Sequence, residues 1–332
     1  MIYDRLIAKK RSVLTQKTRD FFTTSGFLEV ETPIMTPIPG MEPHLTPFET
    51  TLSTPQNSRH KLYLNTSPEL QMKKLLGAGF GNIFQITKVF RNGEIGGNLH
   101  NPEFTMIEWY REKADYKDIM TDCENLVQHL AESPSATYQN QKIGLEKPWE
   151  RISVRELFLK FCDIDLLKNK TFEKLKSAAE EKGYSTSGCD DWDDVFFKIF
   201  LNEIEPHLGT PKPVFVYDYP ATQAALAKKK KDEPFFAERF ELYIGGIEIA
   251  NAFSELTDSG EQKSRLEKEQ NLRKKLGKTV FDIDGEFLAS LESISNPCAG
   301  IALGLDRLFM ILLNLDNIED VLLFPLKKLI KN

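Results

Sequence analysis

Four polar side chains that suit a bound nucleotide lie in one long loop of this chain. An apolar run from Ile83 to Phe90 stops at the loop, and an alternating run from Phe104 to Tyr110 leaves it. This pattern predicts a strand, a loop and a second strand. Hairpin loops usually have about two to five residues, so a loop of about ten residues indicates a binding function. Its candidate ligands for a polyphosphate and a base are Arg91, Glu94, His100 and Asn101.

The strand that follows the loop carries an acidic residue between large side chains. Alternate residues of a strand share a face, so Phe104, Met106, Glu108 and Tyr110 lie together. Glu108 is therefore a candidate binding residue on an otherwise bulky face. The alternative is an antiparallel hairpin whose polar face is solvated.

A second group of residues is a hairpin that carries two carboxylates. Gly245 and Gly246 separate two β-rich arms, which strongly indicates a two-residue turn. With that turn, Glu241 pairs with Ala250, and Glu241 and Glu248 become diagonal neighbours about 7–8 Å apart on one face. Two carboxylates at that distance repel unless a cation or proton lies between them. Because Mg²⁺ prefers one or two carboxylates plus phosphate oxygens, the hairpin is a candidate metal site. The alternative is an exposed acidic patch.

A third group lies where a strand of small residues turns into an apolar helix. Gly300, Ala302 and Gly304 allow a ligand to approach the backbone closely. Arg307 lies in the first turn of the helix, where the helix dipole disfavours a cation. An anionic phosphate would account for a cation at that position. The alternative is an Arg307 that pairs with Asp306 or another carboxylate.

The remaining pattern predicts the elements that hold these groups in place. Heptad spacing indicates an amphipathic helix over residues 3–25, followed by a short strand over residues 27–33. Residues 34–60 are rich in Pro and Thr and predict an extended loop. Residues 67–76 predict a helix that begins near a proline. Residues 115–210 carry mostly helical patterns.

The composition is that of an ordinary globular chain. With 332 residues it can bury a sizeable core, and a net charge of −6 gives no global basic character that points to nucleic acid. The four cysteines, Cys123, Cys162, Cys189 and Cys298, form no CxxC pair, which indicates reduced thiols rather than a zinc site. There is no signal-peptide region and no apolar stretch long enough for a bilayer, so we expect a cytoplasmic protein.

Together the three groups resemble the catalytic domain of class II aminoacyl-tRNA synthetases, most closely the lysyl branch. GFLEVETP at residues 26–33 is similar to motif 1, the FR…HNPEF loop to motif 2 and GLDR at residues 304–307 to motif 3. HNPEFT and ELYIGGIEIANAFSEL are the most specific parts of a resemblance that runs along nearly the whole chain. It implies an α+β fold in which helices flank an antiparallel β-sheet, and a homodimer formed through motif 1.

The resemblance also implies a domain organisation. Residues 1–332 would form a single catalytic domain with a mostly helical insertion at about residues 115–210. Lysyl-tRNA synthetases carry an anticodon-binding barrel ahead of motif 1, and here the helix of motif 1 begins too early to leave room for it. This architecture is similar to the freestanding lysyl-tRNA synthetase paralogues that modify elongation factor P. Ala302 supports that branch, because the tRNA-charging enzymes have glycine there.

The activity expected for that branch is ATP-dependent activation of (R)-β-lysine, or lysine, and transfer to a lysine of elongation factor P, without stable tRNA binding. The resemblance assigns Arg91 and Arg307 to catalysis, and Glu241 and Glu248 to Mg²⁺. Two ammonium groups on the substrate require several carboxylates in its pocket. The residues expected to bind ATP are Arg91, Asn92, Glu94, His100, Asn101, Phe104, Glu241, Leu242, Gly304 and Arg307. The residues expected to bind the amino acid are Ser67, Pro68, Glu69, Glu108, Tyr110, Glu248, Asn251, Phe253, Glu255 and Ala302.

Two departures from the family pattern bear on the site. The acid of the FRxE pattern comes one residue late, at Glu94, and Ala252 replaces a glycine beside the pocket. In a regular strand Asn251 would face away from Glu248. We therefore expect a bulge or bend near Ala250 that brings both residues to one ligand.

Three other functions are compatible with the sequence. A tRNA-charging enzyme without its anticodon domain would need RNA affinity, which the acidic net charge disfavours. A small-molecule amide ligase resembling asparagine synthetase would need a cation for an acidic substrate, whereas Glu69, Glu108 and Glu255 have the opposite charge. A non-catalytic regulatory paralogue would tend to lose the phosphate-binding arginines, and both are present.

Overall fold

The structure, a computed structural model, describes residues 4–330, so the predicted helix start at residue 3 lies outside the described residues. The helices are α1 (Arg5–Thr24), α2 (Glu69–Gly77), α3 (Tyr116–Leu130), α4 (Val154–Cys162), α5 (Phe172–Glu181), α6 (Trp192–Ile199), α7 (Ser259–Lys275), α8 (Gly285–Glu292), α9 (Leu305–Leu312), α10 (Ile318–Val321) and α11 (Leu326–Leu329). The strands are β1 (Leu28–Glu29), β2 (Met35–Thr36), β3 (Glu49–Ser53), β4 (Arg59–Leu64), β5 (Ile83–Phe90), β6 (Glu103–Glu112), β7 (Ser135–Tyr138), β8 (Gln141–Gly144), β9 (Glu150–Ser153), β10 (Val214–Pro220), β11 (Phe236–Ile244), β12 (Ile247–Ser254) and β13 (Cys298–Gly304).

An eight-stranded sheet forms the centre of the fold, in the order β1-β5-β6-β13-β12-β11-β10-β9. The six inner strands pair antiparallel, whereas β1 and β9 join the two edges in parallel. Parallel neighbours need long crossovers, and α2 lies between β1 and β5 while α4 to α6 lie between β9 and β10. The prediction of an α+β fold with helices around an antiparallel sheet is confirmed, and the sheet is mixed at its edges.

Alternation along β6 assigns the two faces of this sheet. Ile107 and Trp109 belong to the main hydrophobic core, which also contains side chains of α1, α3 and α9. The ring centroids of Trp109 and Phe22 of α1 are 4.9 Å apart. On the opposite face the Tyr110 hydroxyl donates to Glu108 at 3.1 Å. The helical layer therefore lies behind the sheet, and the face that carries Glu108 is the polar one, as the alternation predicts.

An ion pair fixes α1 to the start of α9. Arg11 lies 2.5 Å from Asp306, whose side chain is 1% exposed. Asp306 also accepts the backbone N–H of Thr105 at 2.7 Å, and Arg11 donates to the Thr105 hydroxyl at 2.8 Å. Three elements thus meet at one carboxylate.

We expect Asp306→Ala to lower the free energy of unfolding by about 3–5 kcal/mol, because it leaves Arg11 and the N–H of Thr105 without their acceptor. The matched control is Glu29→Ala, which removes an ion pair with Arg19 in which both side chains are 39% exposed. Surface pairs of that kind contribute about 0–1 kcal/mol. Urea unfolding followed by circular dichroism measures both changes, and equal shifts would contradict the assignment.

The prediction of an extended loop over residues 34–60 is wrong where β2, β3 and the start of β4 lie, and the remainder of the segment has no helix or strand. β3 and β4 form an antiparallel hairpin, and β2 pairs with the other side of β4. Asn57 adopts a left-handed conformation with φ 61° in the connection. The threonines that suggested a loop are β-branched residues, which suit a strand as well as a loop.

Residues 115–210 fold as two parts. α3 packs in the main core, whereas α4, α5 and α6 form a second core with β10 and β11. The segment also contains three strands, and one of them, β9, joins the central sheet. The separate helical cluster therefore begins only after β9.

The two-residue turn after β11 and a bulge in β12 set the geometry of the site. Gly245 and Gly246 have φ of 62° and 79°, as such a turn requires. The first two pairs beyond the turn are those of a two-residue turn, Ile244 with Ile247 and Tyr243 with Glu248. The predicted pairing of Glu241 with Ala250 is wrong, because the register shifts and Glu241 pairs with Asn251. This shift is the expected bulge, and it returns Asn251 to the face that carries the hairpin carboxylates.

None of the helices within residues 4–330 is long and apolar enough to cross a membrane. The four cysteines are free thiols. Burial raises the pKa of Cys298 to about 12 and raises that of Cys123 as well, so both thiols are protonated at neutral pH.

Candidate active site

Two rows of side chains cross the polar face of the sheet and form the floor of a pocket. On β12, β13 and β6 the first row is Asn251, Ala302 and Glu108, and the second is Phe253, Gly300 and Tyr110. Because cross-strand partners share a face, the larger side chains converge over the small residues of β13. Asn251 and Phe253 border a cavity of about 1020 Å³, which Glu69 of α2 and Arg239 of β11 also line.

Three glutamates that were expected to bind the amino acid converge beside these rows. Glu108 is 1% exposed and accepts the hydroxyls of Ser67 at 2.5 Å and Tyr110 at 3.1 Å. Burial and the charge of Glu69 raise the pKa of Glu108 to about 8. Burial also raises the pKa of Glu255 to about 8. These raised pKa values favour protonated carboxyl groups, and an ammonium group that binds beside them would favour the ionised form.

A lysine that the sequence analysis did not single out lies among the same carboxylates. Lys73 is 1% exposed, and its Nζ lies 2.6 Å from carboxylate oxygens of both Glu69 and Glu255. Burial alone would lower its pKa, but the two carboxylates outweigh that effect and raise it. The sequence signal was the spacing of four residues from Glu69 on α2, which is common on solvated helices. Pro68 precedes this helix as its N-terminal cap residue.

Arg91 occupies the opposite side of the site, directly after β5. Its guanidinium lies 5.1 Å from the centroid of the Phe104 ring and 3.7 Å from the Glu94 carboxylate. Its Nε is buried and has no hydrogen-bond partner within residues 4–330. A buried donor without a partner suits an acceptor that a ligand brings. The late position of Glu94 thus still places this acid beside the arginine.

Arg307 lies in the first turn of α9, as predicted, and connects the loop with the carboxylate hairpin. It donates to the backbone carbonyl of Glu248 at 2.8 Å, and its guanidinium lies 3.0 Å from Nε2 of His100. Asp306 pairs with Arg11, so the alternative of an Arg307–Asp306 pair is wrong. Burial and the charge of Arg307 lower the pKa of His100, which favours the neutral imidazole.

Two residues expected at the nucleotide have side chains that are engaged elsewhere. The Asn101 amide donates to the carbonyl of Glu103 at 2.5 Å and accepts the N–H of Leu326 at 2.9 Å. Leu242 is buried in the core behind the sheet. Only the backbone groups of Asn101 and Leu242 are therefore available to a nucleotide. Asn92, by contrast, is exposed on the loop.

The carboxylate hairpin is ordered by hydroxyl and guanidinium donors. Glu241 accepts the hydroxyls of Tyr219 at 2.5 Å and Tyr243 at 2.8 Å. Arg239 donates to the other oxygen of Glu241 at 2.6 Å. Burial and the charge of Glu241 raise the pKa of Glu248 to about 7.

These two glutamates fit a divalent cation that shares its ligands with a phosphate. Burial and, to a smaller extent, the charge of Glu241 raise the pKa of Glu248, and a cation between the two carboxylates would offset both effects. Nowhere in residues 4–330 do three or more His, Cys, Asp or Glu side chains form a group that could hold a metal alone. A pair of carboxylates completed by phosphate oxygens and water is the arrangement that Mg²⁺ prefers.

The sequence analysis also missed one arginine and two carboxylates at the cavity. Arg239 donates to the side-chain oxygen of Asn251 at 2.8 Å and so fixes its orientation. Glu42 and Glu269 line the cavity from the segment before β3 and from α7. Burial and neighbouring carboxylates, Glu69 among them, raise the pKa of Glu42 and raise that of Glu269 to about 8. No sequence pattern links these residues, because they lie far apart in the chain.

Comparison with known proteins identifies the class of protein to which this sheet, with Arg91 and Arg307 beside it, belongs. A family model described as class II tRNA synthetases (D, K and N) matches residues 4–328. The chain is 40% identical over 322 residues to the elongation factor P–(R)-β-lysine ligase of Hamiltonella defensa, covering 96% of this chain and 94% of the relative. It is also 40% identical to the proteins of that name from Proteus mirabilis, over 319 residues (95% and 94%), and Haemophilus influenzae Rd, over 316 residues (95% and 93%). The chain therefore belongs to the class II tRNA synthetases and, within them, to the family of the elongation factor P–(R)-β-lysine ligases.

Proposed function

We propose that this chain activates (R)-β-lysine, or lysine, with ATP and transfers the activated acyl group to a lysine ε-amine of elongation factor P. The observation that carries this proposal is a group of three carboxylates in which Glu108 and Glu255 are buried and Glu69 is 15% exposed at the cavity. The same site contains Arg91 and Arg307. The substrate has two ammonium groups that need carboxylates and one carboxylate that needs a cation. The names of the relatives support the same substrates.

In the first step an oxygen of the amino-acid carboxylate attacks the α-phosphorus of ATP. A new O–P bond forms, the bond from the α-phosphorus to the bridging oxygen breaks, and pyrophosphate leaves. Arg91 holds the α-phosphate and the amino-acid carboxylate, while Arg307 and His100 hold the γ-phosphate end. Phe104 stacks on the adenine. Positioned donors of this kind stabilise developing charge without reorganisation.

Glu241 and Glu248 would hold Mg²⁺ in this proposal. The ion would supply neutralisation of the phosphate charge. The donors that surround Glu241, which are Tyr219, Tyr243 and Arg239, keep its carboxylate in place for that role.

In the second step the neutral ε-amine of the acceptor lysine attacks the carbonyl carbon of the adenylate. An amide bond forms, the bond to the phosphate oxygen breaks, and AMP leaves with the proton that the amine loses. The cavity extends from Glu69 to α7 and to the start of α6, which provides a path for the acceptor side chain.

The proposal extends to assembly and location. We propose that residues 1–332 act as a single catalytic domain without stable tRNA binding, in the cytoplasm. Leu28, Ile34 and Met35 in the motif 1 region are 52%, 43% and 54% exposed. The exposure of these apolar side chains supports a homodimer that would bury them, which sedimentation velocity would test.

The decisive test of the function is ATP–pyrophosphate exchange with each lysine isomer, followed by the intact mass of elongation factor P after incubation with enzyme, ATP and Mg²⁺. We expect exchange that depends on a lysine-type substrate and a mass increase of one acyl group. Total tRNA in place of the factor is the control. Folded protein that gives no exchange with any lysine isomer would refute the proposal.

We expect Gly300→Ala to raise the KM for the amino acid at least about tenfold and to cost about 1–3 kcal/mol of stability. A Cβ at this position would lie 2.3 Å from the Tyr110 ring and 2.6 Å from Oε1 of Glu255, so both side chains must leave the pocket. Gly285→Ala is the matched control, because its Cβ would meet no atom within 4 Å. Steady-state exchange kinetics and thermal unfolding measure the two effects. Wild-type values for both would contradict the close packing described here.

The KM for the amino acid should fall as the pH rises from about 6 to about 8. Glu108 and Glu255 have pKa values raised to about 8, so both are mostly protonated at pH 6 and about half ionised at pH 8, and the ionised form can pair with an ammonium group. Each displaced proton changes the affinity by up to about tenfold per pH unit. Exchange kinetics across this range, with the KM for ATP as the control, test the expectation. A KM for the amino acid that does not vary with pH would contradict it.

A further inference from the structure

We infer that Lys73 is a built-in ammonium group that sets the charge of the amino-acid pocket, so that the pocket is balanced only when two further ammonium groups bind. The inference rests on the proposed function and deepens it. It concerns a positioning and specificity-determining residue that would not touch the reacting atoms.

The contacts of Lys73 are those of a permanent member of the pocket. Its Nζ lies 2.6 Å from Glu69 and 2.6 Å from Glu255, and 4.8 Å from the centroid of the Phe253 ring. With 1% of its side chain exposed, it cannot exchange its partners for water. Oε1 of Glu255 has no hydrogen-bond partner within residues 4–330, so Lys73 leaves one oxygen of this carboxylate open to a ligand.

The neighbouring lysine, Lys74, forms similar ion pairs but is partly exposed to solvent. Lys74 also has two acidic partners, at 2.7 Å from Asp284 and 3.1 Å from Glu286. Its side chain is 21% exposed and that of Glu286 is 87% exposed. Two adjacent lysines of one helix thus form similar ion pairs, but Lys73 is buried among the pocket carboxylates whereas Lys74 is partly exposed.

The charges inside the pocket balance for a substrate with two ammonium groups. Glu69, Glu108 and Glu255 bring three negative charges when ionised, and Lys73 brings one positive charge. Two substrate ammonium groups complete the compensation, and buried charges are tolerated only when they are compensated. A substrate with one ammonium group would leave one carboxylate that must keep its proton.

Two groups that face this cluster from other elements add no charge to it. Burial raises the pKa of Tyr110 on β6 and of Cys298 on β13, so both are neutral. Glu42 and Glu269 face Glu69, and Arg273 interacts with these two carboxyl groups and not with the cluster around Lys73. Burial raises the pKa of both of these carboxyl groups, which favours their neutral form. Arg273 keeps its charge and donates to backbone carbonyls.

The test is Lys73→Met, with Lys74→Met as the matched control. We expect Lys73→Met to raise the KM for the amino acid about 30-fold and the KM for ATP by about twofold or less. Infrared spectroscopy of the lysine complex detects carboxyl groups that keep their proton. Without Lys73 one carboxylate must keep its proton when lysine is bound, so the complex of this variant should contain one more protonated carboxyl group than the complexes of the wild type and of Lys74→Met. A merely structural role would not change that number.

Two outcomes separate failure of this inference from failure of the proposed function. If the wild type exchanges with no lysine isomer, the proposed function fails. If the wild type exchanges but Lys73→Met matches Lys74→Met in KM and in the number of protonated carboxyl groups of the lysine complex, only the inference on Lys73 fails. Should the variant not fold, nitrogen NMR of the wild type replaces it: the buried ammonium signal must shift when lysine is added and stay unchanged with ATP alone. A signal that does not respond to lysine overturns the inference.

Discussion

Replacing Glu255 with glutamine is expected to raise the KM for the amino acid about 100-fold and the KM for ATP by about twofold or less. The side chain of Glu255 is 1% exposed, and its Oε1 is a buried acceptor without a hydrogen bond within residues 4–330. An ammonium group that meets a buried carboxylate there gains a charge-assisted hydrogen bond of about 1.5–3 kcal/mol. Glutamine keeps the shape and removes the charge, and it also leaves Lys73 short of one partner.

Exchange kinetics at saturating concentration of the other substrate would separate the two KM values for Glu255→Gln. The matched control is Glu286→Gln, because Glu286 is 87% exposed and lies outside the pocket. Its KM values should equal those of the wild type. Equal increases in both KM values for Glu255→Gln would indicate a general disturbance of the site and contradict the assignment.

Replacing Arg307 with glutamine is expected to lower the kcat of exchange about 1000-fold, with a smaller rise in the KM for ATP. A preorganised cation acts mainly on charge that develops in the transition state, and loss of one such donor costs about two to three orders of magnitude. Arg307→Lys should recover part of the rate, because it restores the charge without the planar pair of donors.

The control for Arg307 has to separate lost charge from lost geometry, because this arginine also donates to the carbonyl of Glu248 at 2.8 Å. Arg111→Gln removes a partly exposed arginine of β6, paired with Asp122 at 2.9 Å, and should leave kcat unchanged. Thermal unfolding of Arg307→Gln should lie close to that of the wild type. A variant that keeps its stability and more than about a tenth of its kcat would contradict a role in the transition state.

The faces of the site strands could be predicted because alternation in a strand depends on local geometry alone. Glu108 and Tyr110 share a face with the pocket, while Ile107 and Trp109 enter the core, as the period of two requires. The bulge could be predicted because Glu248 and Asn251 would lie on opposite faces of a regular strand, whereas both are expected to contact one ligand. The pairing of Glu241 was nevertheless predicted wrongly, because a regular register was assumed up to the bulge.

What could not be predicted depends on contacts between distant parts of the chain. Lys73 has the pattern of a solvated helix residue, and only the tertiary fold brings Glu255, which directly follows β12, to it. Glu42 and Glu269 meet at the cavity although more than half of the chain separates them. The side-chain oxygen of Asn101 accepts the backbone N–H of Leu326, and no local sequence pattern predicts this hydrogen bond.

The bulge in β12 also limits how this enzyme can vary. Glu248, which we propose holds Mg²⁺, lies before the bulge, and Asn251, which we propose binds the amino acid, lies after it. The bulge alone brings these two residues of one strand to the same face. Losing or gaining a single residue near Ile249 would turn every later side chain to the wrong face of the sheet. Natural lineages should therefore keep the length of this strand fixed. Changes of amino-acid preference should instead arise by substitution on the neighbouring strand, at positions such as Ala302.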